Sequence, residues 1–146
     1  METETTRRVL TEATIESLYD IFASQHDMIP ADRVRRVVVP DALVDDDTML
    51  LSLPSSMIRR LGLATTKSRH LPRGGVPAVV FDPVRLTIMG RDCTMEVLKA
   101  PEGAPVVIGR IALLSLDLVV DPCNHKLTGN PAHGGEWVLE LYCQDV

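Results

Sequence analysis

Three adjacent carboxylates, Asp45, Asp46 and Asp47, interrupt an apolar stretch that reads Ala42-Leu43-Val44 before them and Met49-Leu50-Leu51-Ser52-Leu53-Pro54 after Thr48. Two carboxylates brought close in a shielded turn cannot easily both ionise, so the pair can share a proton and work as acid and base. Grouped carboxylates can also hold a hard cation, because Ca²⁺ and Mg²⁺ take oxygen ligands. On an extended strand, however, neighbouring side chains point to opposite faces, and three in a row would not converge on one ion. An acidic surface turn is the reading without chemistry. The apolar flanks weigh against it, since the chain returns at once to the core and a buried, unpaired carboxylate is costly.

Other reactive residues are less organised. Cys93, Cys123 and Cys143 are odd in number and widely spaced, so reduced packing thiols are expected in place of a disulfide framework. Cys123-x-His125, with His133 further on, lacks the second close pair of a structural zinc site, and no metal is expected. His133, ahead of Gly134-Gly135, reads as a loop residue without a serine or cysteine at catalytic spacing. The chain carries no phosphate-binding glycine loop, no G-x-S-x-G elbow and no H-E-x-x-H pair, and no cofactor is expected.

Composition bounds the rest. With 146 residues, 45% hydrophobic and 24% charged, the chain should form a single domain over 1–146 with a real core, residues 1–14 being a flexible or interface arm. A formal net charge of −5 and five aromatic residues argue against nucleic acid, whose affinity comes from Lys and Arg on phosphates. No apolar run approaches the roughly 18 residues of a membrane span. The polar start lacks a signal peptide's apolar centre, so a cytoplasmic protein is expected.

The elements that must position the carboxylates are short, β-branched and punctuated by Gly, Pro and Asp, which predicts a mainly β fold. Strands are expected over Arg7–Ile15, Arg33–Val39 and Ala42–Val44. Further strands should cover Thr65–Leu71, Val76–Phe81, Val84–Met89 and Cys93–Leu98, with hairpins at Pro72–Gly75 and Gly90–Asp92. Short helices suit Ser17–Ser24, the stretch after Ser55 and Ser56 that ends at Gly62, and Ile111–Leu116. A strand follows the last helix, Lys126–Thr128 can be extended, and Trp137–Tyr142 is a final possible strand. Strand, special turn and short helix occur twice, at Val44–Leu61 and Val106–Leu116, an echo that suggests two halves of one barrel.

These residues and their spacing resemble the retropepsin-like aspartic proteases, in particular their small single-domain versions found in bacteria. The family pattern Ala-Leu-Val-Asp-Thr-Gly-Ala-Thr-x-Leu-x-Leu-Pro is matched without gaps by Ala42 to Asp45 and by Leu51 to Pro54, followed by Leu61-Gly62-Leu63. Its second landmark is matched by Val107-Ile108-Gly109-Arg110. The resemblance implies a small closed β barrel with one or two short helices, acting as a homodimer on a peptide or protein substrate. Asp45 takes the place of the catalytic aspartate, with Asp46, Asp47 and Thr48 as its loop neighbours. Gly74 and Gly75 fall where the family keeps its substrate-covering flap, and Ile108, Gly109 and Arg110 form the second-half loop. Arg110 is expected to pair with an acidic group of its own subunit. This chain departs from the pattern after Asp45: the family's Thr and Gly are Asp46 and Asp47. The alternative implied is a dimeric binding or structural module that has lost catalysis.

Overall fold

The computed structural model describes residues 8–69 and 78–139. Alternating burial builds its strands. In β1 (Val9–Ser17) Ala13, Ile15 and Ser17 point inward, and in β2 (Arg36–Val44) Val37, Val39, Ala42 and Val44 do. The phase of β2 changes at Pro40-Asp41, which lie opposite the single residue Glu12, because the register steps from Thr11↔Ala42 to Ala13↔Val39. A bulge is where a strand accommodates a proline, which has no N–H to give the ladder.

The chain continues through β3 (Leu51–Pro54), β4 (Thr65–Arg69), β5 (Ala78–Ile88), β6 (Arg91–Ala100) and β7 (Val107–Ile108). Strands pair in the order β1-β2-β7-β3-β6-β5-β4, and β1 also pairs with β5, so the ladders return to the first strand. Inside lie Ile15, Leu51, Leu53, Leu61, Leu86, Ile88, Val97, Ile108 and Leu116, all essentially without solvent contact. A second, two-stranded sheet joins β8 (Leu118–Asp121) to β9 (Lys126–Gly129).

Among the described residues, three short α-helices punctuate the strands, one beyond the one or two that the resemblance implied: α1 (Leu18–Gln25), α2 (Ser55–Leu61) and α3 (Arg110–Leu116). Ser17 caps α1 by accepting the Asp20 amide. Pro54 gives α2 no side-chain cap, and Glu102 supplies one from across the fold. Its carboxylate accepts the Ser56 amide at 3.1 Å and the hydroxyls of Ser55 and Ser56. Gly62 ends α2 in the left-handed region, at φ 68, as glycine commonly does.

Several sequence expectations change in position. The strand expected over Arg7–Ile15 is β1, paired with β2 from Val9 to Glu16 and with β5 from Thr14 to Ser17. The two strands expected on either side of Asp82-Pro83 are one strand, β5, which bulges at that point against β6. The β5–β6 turn runs through Met89 and Gly90, both at positive φ, the conformation that matches the twist of a two-residue hairpin. Trp137–Leu139 has no regular structure. β4 and β5 pair as the hairpin reading required, from Thr65↔Phe81 to Arg69↔Ala78. The tip with Gly74 and Gly75 lies outside the described residues.

Candidate active site

The Asp45 loop hangs from β2 and is clamped by β7. β7 runs parallel to β2, with Leu43↔Val107 and Val44↔Ile108, and antiparallel to β3, at Ser52↔Val107. The two strands flanking the loop are thus bridged by the strand that leads into Gly109. The β2–β7 hydrogen bonds extend to the loop itself: the Leu43 amide donates to the Val106 carbonyl at 2.8 Å and the Asp45 amide to the Ile108 carbonyl at 3.0 Å.

Beyond Asp45 the chain turns. The Asp47 amide donates to Asp45 Oδ1 at 3.0 Å. Thr48 closes the turn twice on the Asp45 carbonyl, with its amide at 3.2 Å and its hydroxyl at 2.9 Å. This aspartate-led turn needs no left-handed residue: Asp27, Met89, Asp117 and His125 are the non-glycine positions with positive φ among the described residues. Asp47, which the resemblance aligned with a glycine, therefore sits in this turn without a positive φ. A carboxylate that accepts a following amide is a common way for Asp to fix a turn.

The second-half loop meets the first through backbone. Arg110 and Ile111, at the start of α3, donate their amides to the carbonyls of Thr48 at 2.8 Å and Met49 at 3.0 Å. The first amides of a helix have no partner inside it, so the Asp45 loop completes α3 and α3 in turn fixes the loop. Gly109 permits the approach. A Cβ there would stand 2.6 Å from the Met49 carbonyl carbon and 2.8 Å from the Leu50 oxygen, closer than packed carbon atoms come. The Arg110 side chain departs from expectation: its Nε–H donates to the backbone carbonyl of Asp46 at 3.1 Å, not to a carboxylate.

Asp45 is half-buried, whereas Asp46 and Asp47 are exposed. One carboxylate oxygen from each of the three lies within 4.8 Å of the others. The divergence expected of a strand is absent because these residues form a turn. Asp45 and Asp46 also border a cavity of about 320 Å³ whose other walls are Arg8, Val9, Leu43, Val44 and Val120. The site therefore presents one partly shielded carboxylate beside a recess of four apolar residues and Arg8, with two wet carboxylates at its edge.

The remaining sequence candidates lie elsewhere. Cys93 is half-buried, and burial, reinforced by the neighbouring Asp92 charge, pushes its thiol up to about 11, which is inert at neutral pH. Cys123 is exposed on the β8–β9 turn. His133, expected as a loop residue, places Nδ1 2.7 Å from Asp117 Oδ2. Sequence reading missed Asp117 and also Asp20, a buried carboxylate gripped by Arg35 through Nε at 2.8 Å and Nη2 at 3.0 Å. The signal available for Asp20 was its place in the first turn of a short helix; for Asp117, an acidic residue just past an apolar one.

No family model matches the chain, and no curated protein matches it. Among solved structures it is similar in fold to the EIAV protease complexed with the inhibitor HBY-793. That similarity has 16% identity and a TM-score of 0.45, and covers 95% of this chain and 100% of that one. It is likewise similar to the retroviral protease-like domain of Ddi1 from Leishmania major, with 13% identity, a TM-score of 0.49, and coverage of 84% and 89%. At such identities a likeness concerns the backbone and does not speak for the chemistry of the Asp45 loop.

Proposed function

We propose that this chain is a retropepsin-like aspartic protease homologue that works as a homodimer and hydrolyses peptide bonds with one Asp45 from each copy. The observation that carries the reading is the Asp47 amide bonded to Asp45 Oδ1 at 3.0 Å. It holds the carboxylate in place even though aspartate has replaced glycine.

One loop supplies one aspartate, so a two-fold pair of copies is needed for the second, through an isologous contact. With the two Asp45 carboxylates sharing a proton, the ionised one takes a proton from water as that water attacks the peptide carbonyl. The protonated one donates to the carbonyl oxygen, and the roles exchange as the amine leaves. The apolar wall of the recess, Val9, Leu43, Val44 and Val120 beside Arg8, suits an apolar side chain of an extended peptide. The whole chain, 1–146, acts as a single domain under this reading, in the cytoplasm, with Gly74 and Gly75 as the flap and no cofactor or metal in the step.

A second reading, a dimeric binding module without hydrolysis, is favoured by Asp46. It is exposed and stands where the family has a threonine whose hydroxyl bonds across the dimer axis. A hydroxyl both donates and accepts, whereas an ionised carboxylate only accepts.

Digestion of a mixed peptide library by wild type and Asp45→Asn across about pH 3 to 7, the range in which carboxylates titrate, separates the two. Cleavage by wild type that Asp45→Asn lacks supports the peptidase. Absence of cleavage by a folded, dimeric wild type that still retains peptides supports the module.

A further inference from the structure

At the far end of α3 from the Asp45 loop, the chain leaves the helix through Asp117 at φ 54, a conformation that Asp tolerates better than most residues. Its side chain is turned inward, and the residue is 8% exposed. Three groups from the segment after β9 converge on that carboxylate. His133 Nδ1 stands 2.7 Å from Oδ2, the Val138 amide donates to Oδ2 at 3.1 Å, and Asn130 Nδ2 donates to Oδ1 at 3.1 Å. Asn130 also uses its other ends, its amide on the Asp117 carbonyl and its Oδ1 on the Ala132 amide. The Trp137 indole adds a bond to the Ser115 carbonyl at 3.2 Å.

We propose that Asp117 and His133 form a protonation-sensitive latch that fastens the segment Asn130–Val138 to the last turn of α3. The inference goes beyond the peptidase reading and stands whether or not Asp45 hydrolyses anything.

Burial pushes the Asp117 carboxyl up, but the donors from His133, Val138 and Asn130, with the histidine's charge, together outweigh it and hold it below the ordinary range. Near neutral pH it is ionised, and a carboxylate can only accept. The proton between the two is therefore carried by His133 Nδ1. Gain of a second proton turns the contact from a hydrogen bond to a neutral ring into an ion pair, which is the stronger of the two.

Among the described residues, the other charged groups around the pair have separate tasks. Arg91 from β6 gives its guanidinium to the carbonyls of Leu116, Asp117 and Gly135. Asp92 beside it faces Arg85 at 3.9 Å. On the hairpin, Asp121 accepts from Cys123 and Asn124 and Lys126 is exposed, while on the segment itself Glu136 is exposed. Local opening of Asn130–Val138 should therefore become more frequent as pH rises through the histidine titration.

The test needs only the wild-type chain. Amide hydrogen exchange at Val138, corrected for its intrinsic pH dependence, is followed across about pH 5 to 8, together with the His133 ring resonances by NMR. Protection at Val138 is expected to fall by about threefold or more with the same midpoint as the ring, as a charged hydrogen bond becomes a neutral one. Val97, within the β5–β6 ladder, should stay level. His133→Gln should flatten the Val138 profile. Protection at Val138 that is level through the His133 titration, or that moves in step with Val97, would overturn the latch.

Discussion

Asp47 stands where the resemblance would put a glycine, and the hydrogen bonds of the turn show how an aspartate fits there. The turn needs an amide two residues after Asp45, and any residue other than proline supplies one at a negative φ. Asp46 is different: in the proposed homodimer its side chain would meet its own copy across the axis, and like charges a few ångströms apart oppose association. Replacing both, as Asp46→Thr with Asp47→Gly, should tighten the dimer by about tenfold or more, equivalent to roughly 1.4 kcal/mol. Sedimentation velocity near neutral pH reads this directly; an unchanged or weaker dimer would show that Asp46 does not face its copy. The place of Asp45 was legible because its spacing to Leu51-Ser52-Leu53-Pro54 is fixed by the strands on both sides. The double bond from Thr48 back to the Asp45 carbonyl was not, because nothing in a sequence says which acceptor a hydroxyl will choose.

At the scale of elements, α3 is set by Gly109 in front and Asp117 behind. Gly109→Ala adds a methyl group against the Met49 and Leu50 backbone, which cannot move aside without breaking the bonds from Arg110 and Ile111. A loss of about 1–3 kcal/mol is expected in urea unfolding, the usual cost of overpacking, with cleavage lowered by more than the stability loss explains. α1 is tied to the start of β2 by Asp20, whose carboxyl the Arg35 side chain holds below its ordinary value of 3.8, against the opposing effect of burial. A depressed carboxyl contributes stability above its unfolded value, and that contribution is lost as pH falls through the folded one. Asp20→Asn should cost about 2 kcal/mol at neutral pH, typical of a charged hydrogen bond. The gap to wild type should begin to narrow as pH falls through 3.8 and close only below the folded value, where the carboxyl is neutral in both the folded and the unfolded chain. A gap that persists in acid would mean that packing, not charge, ties the helix. The helices themselves could be read from apolar spacing, Ser17 and Gly62. Their anchors could not, because Asp20–Arg35 and Ser56–Glu102 join residues that the chain order keeps apart.

For the whole molecule, the mainly β architecture was legible because strands alternate with period two and hairpin turns carry Gly. The path of β7 between β2 and β3 was not, since a two-residue strand has no period to detect and its place is set by which ladders remain open. That path brings the two landmark loops together and makes the Asp45 turn a wall of the recess with Val9 and Val120. The proposed activity belongs to this scale, because a single copy carries half of the catalytic pair. The most direct measurement mixes wild-type and Asp45→Asn subunits, allows exchange, and follows peptide hydrolysis against the wild-type fraction. If each site takes one Asp45 from each of two copies, an equal mixture keeps about a quarter of the all-wild-type rate, since that is the share of pairs with both aspartates. A rate that falls only to about half, as independent subunits would give, or no hydrolysis by wild type at all, would contradict a shared Asp45 pair.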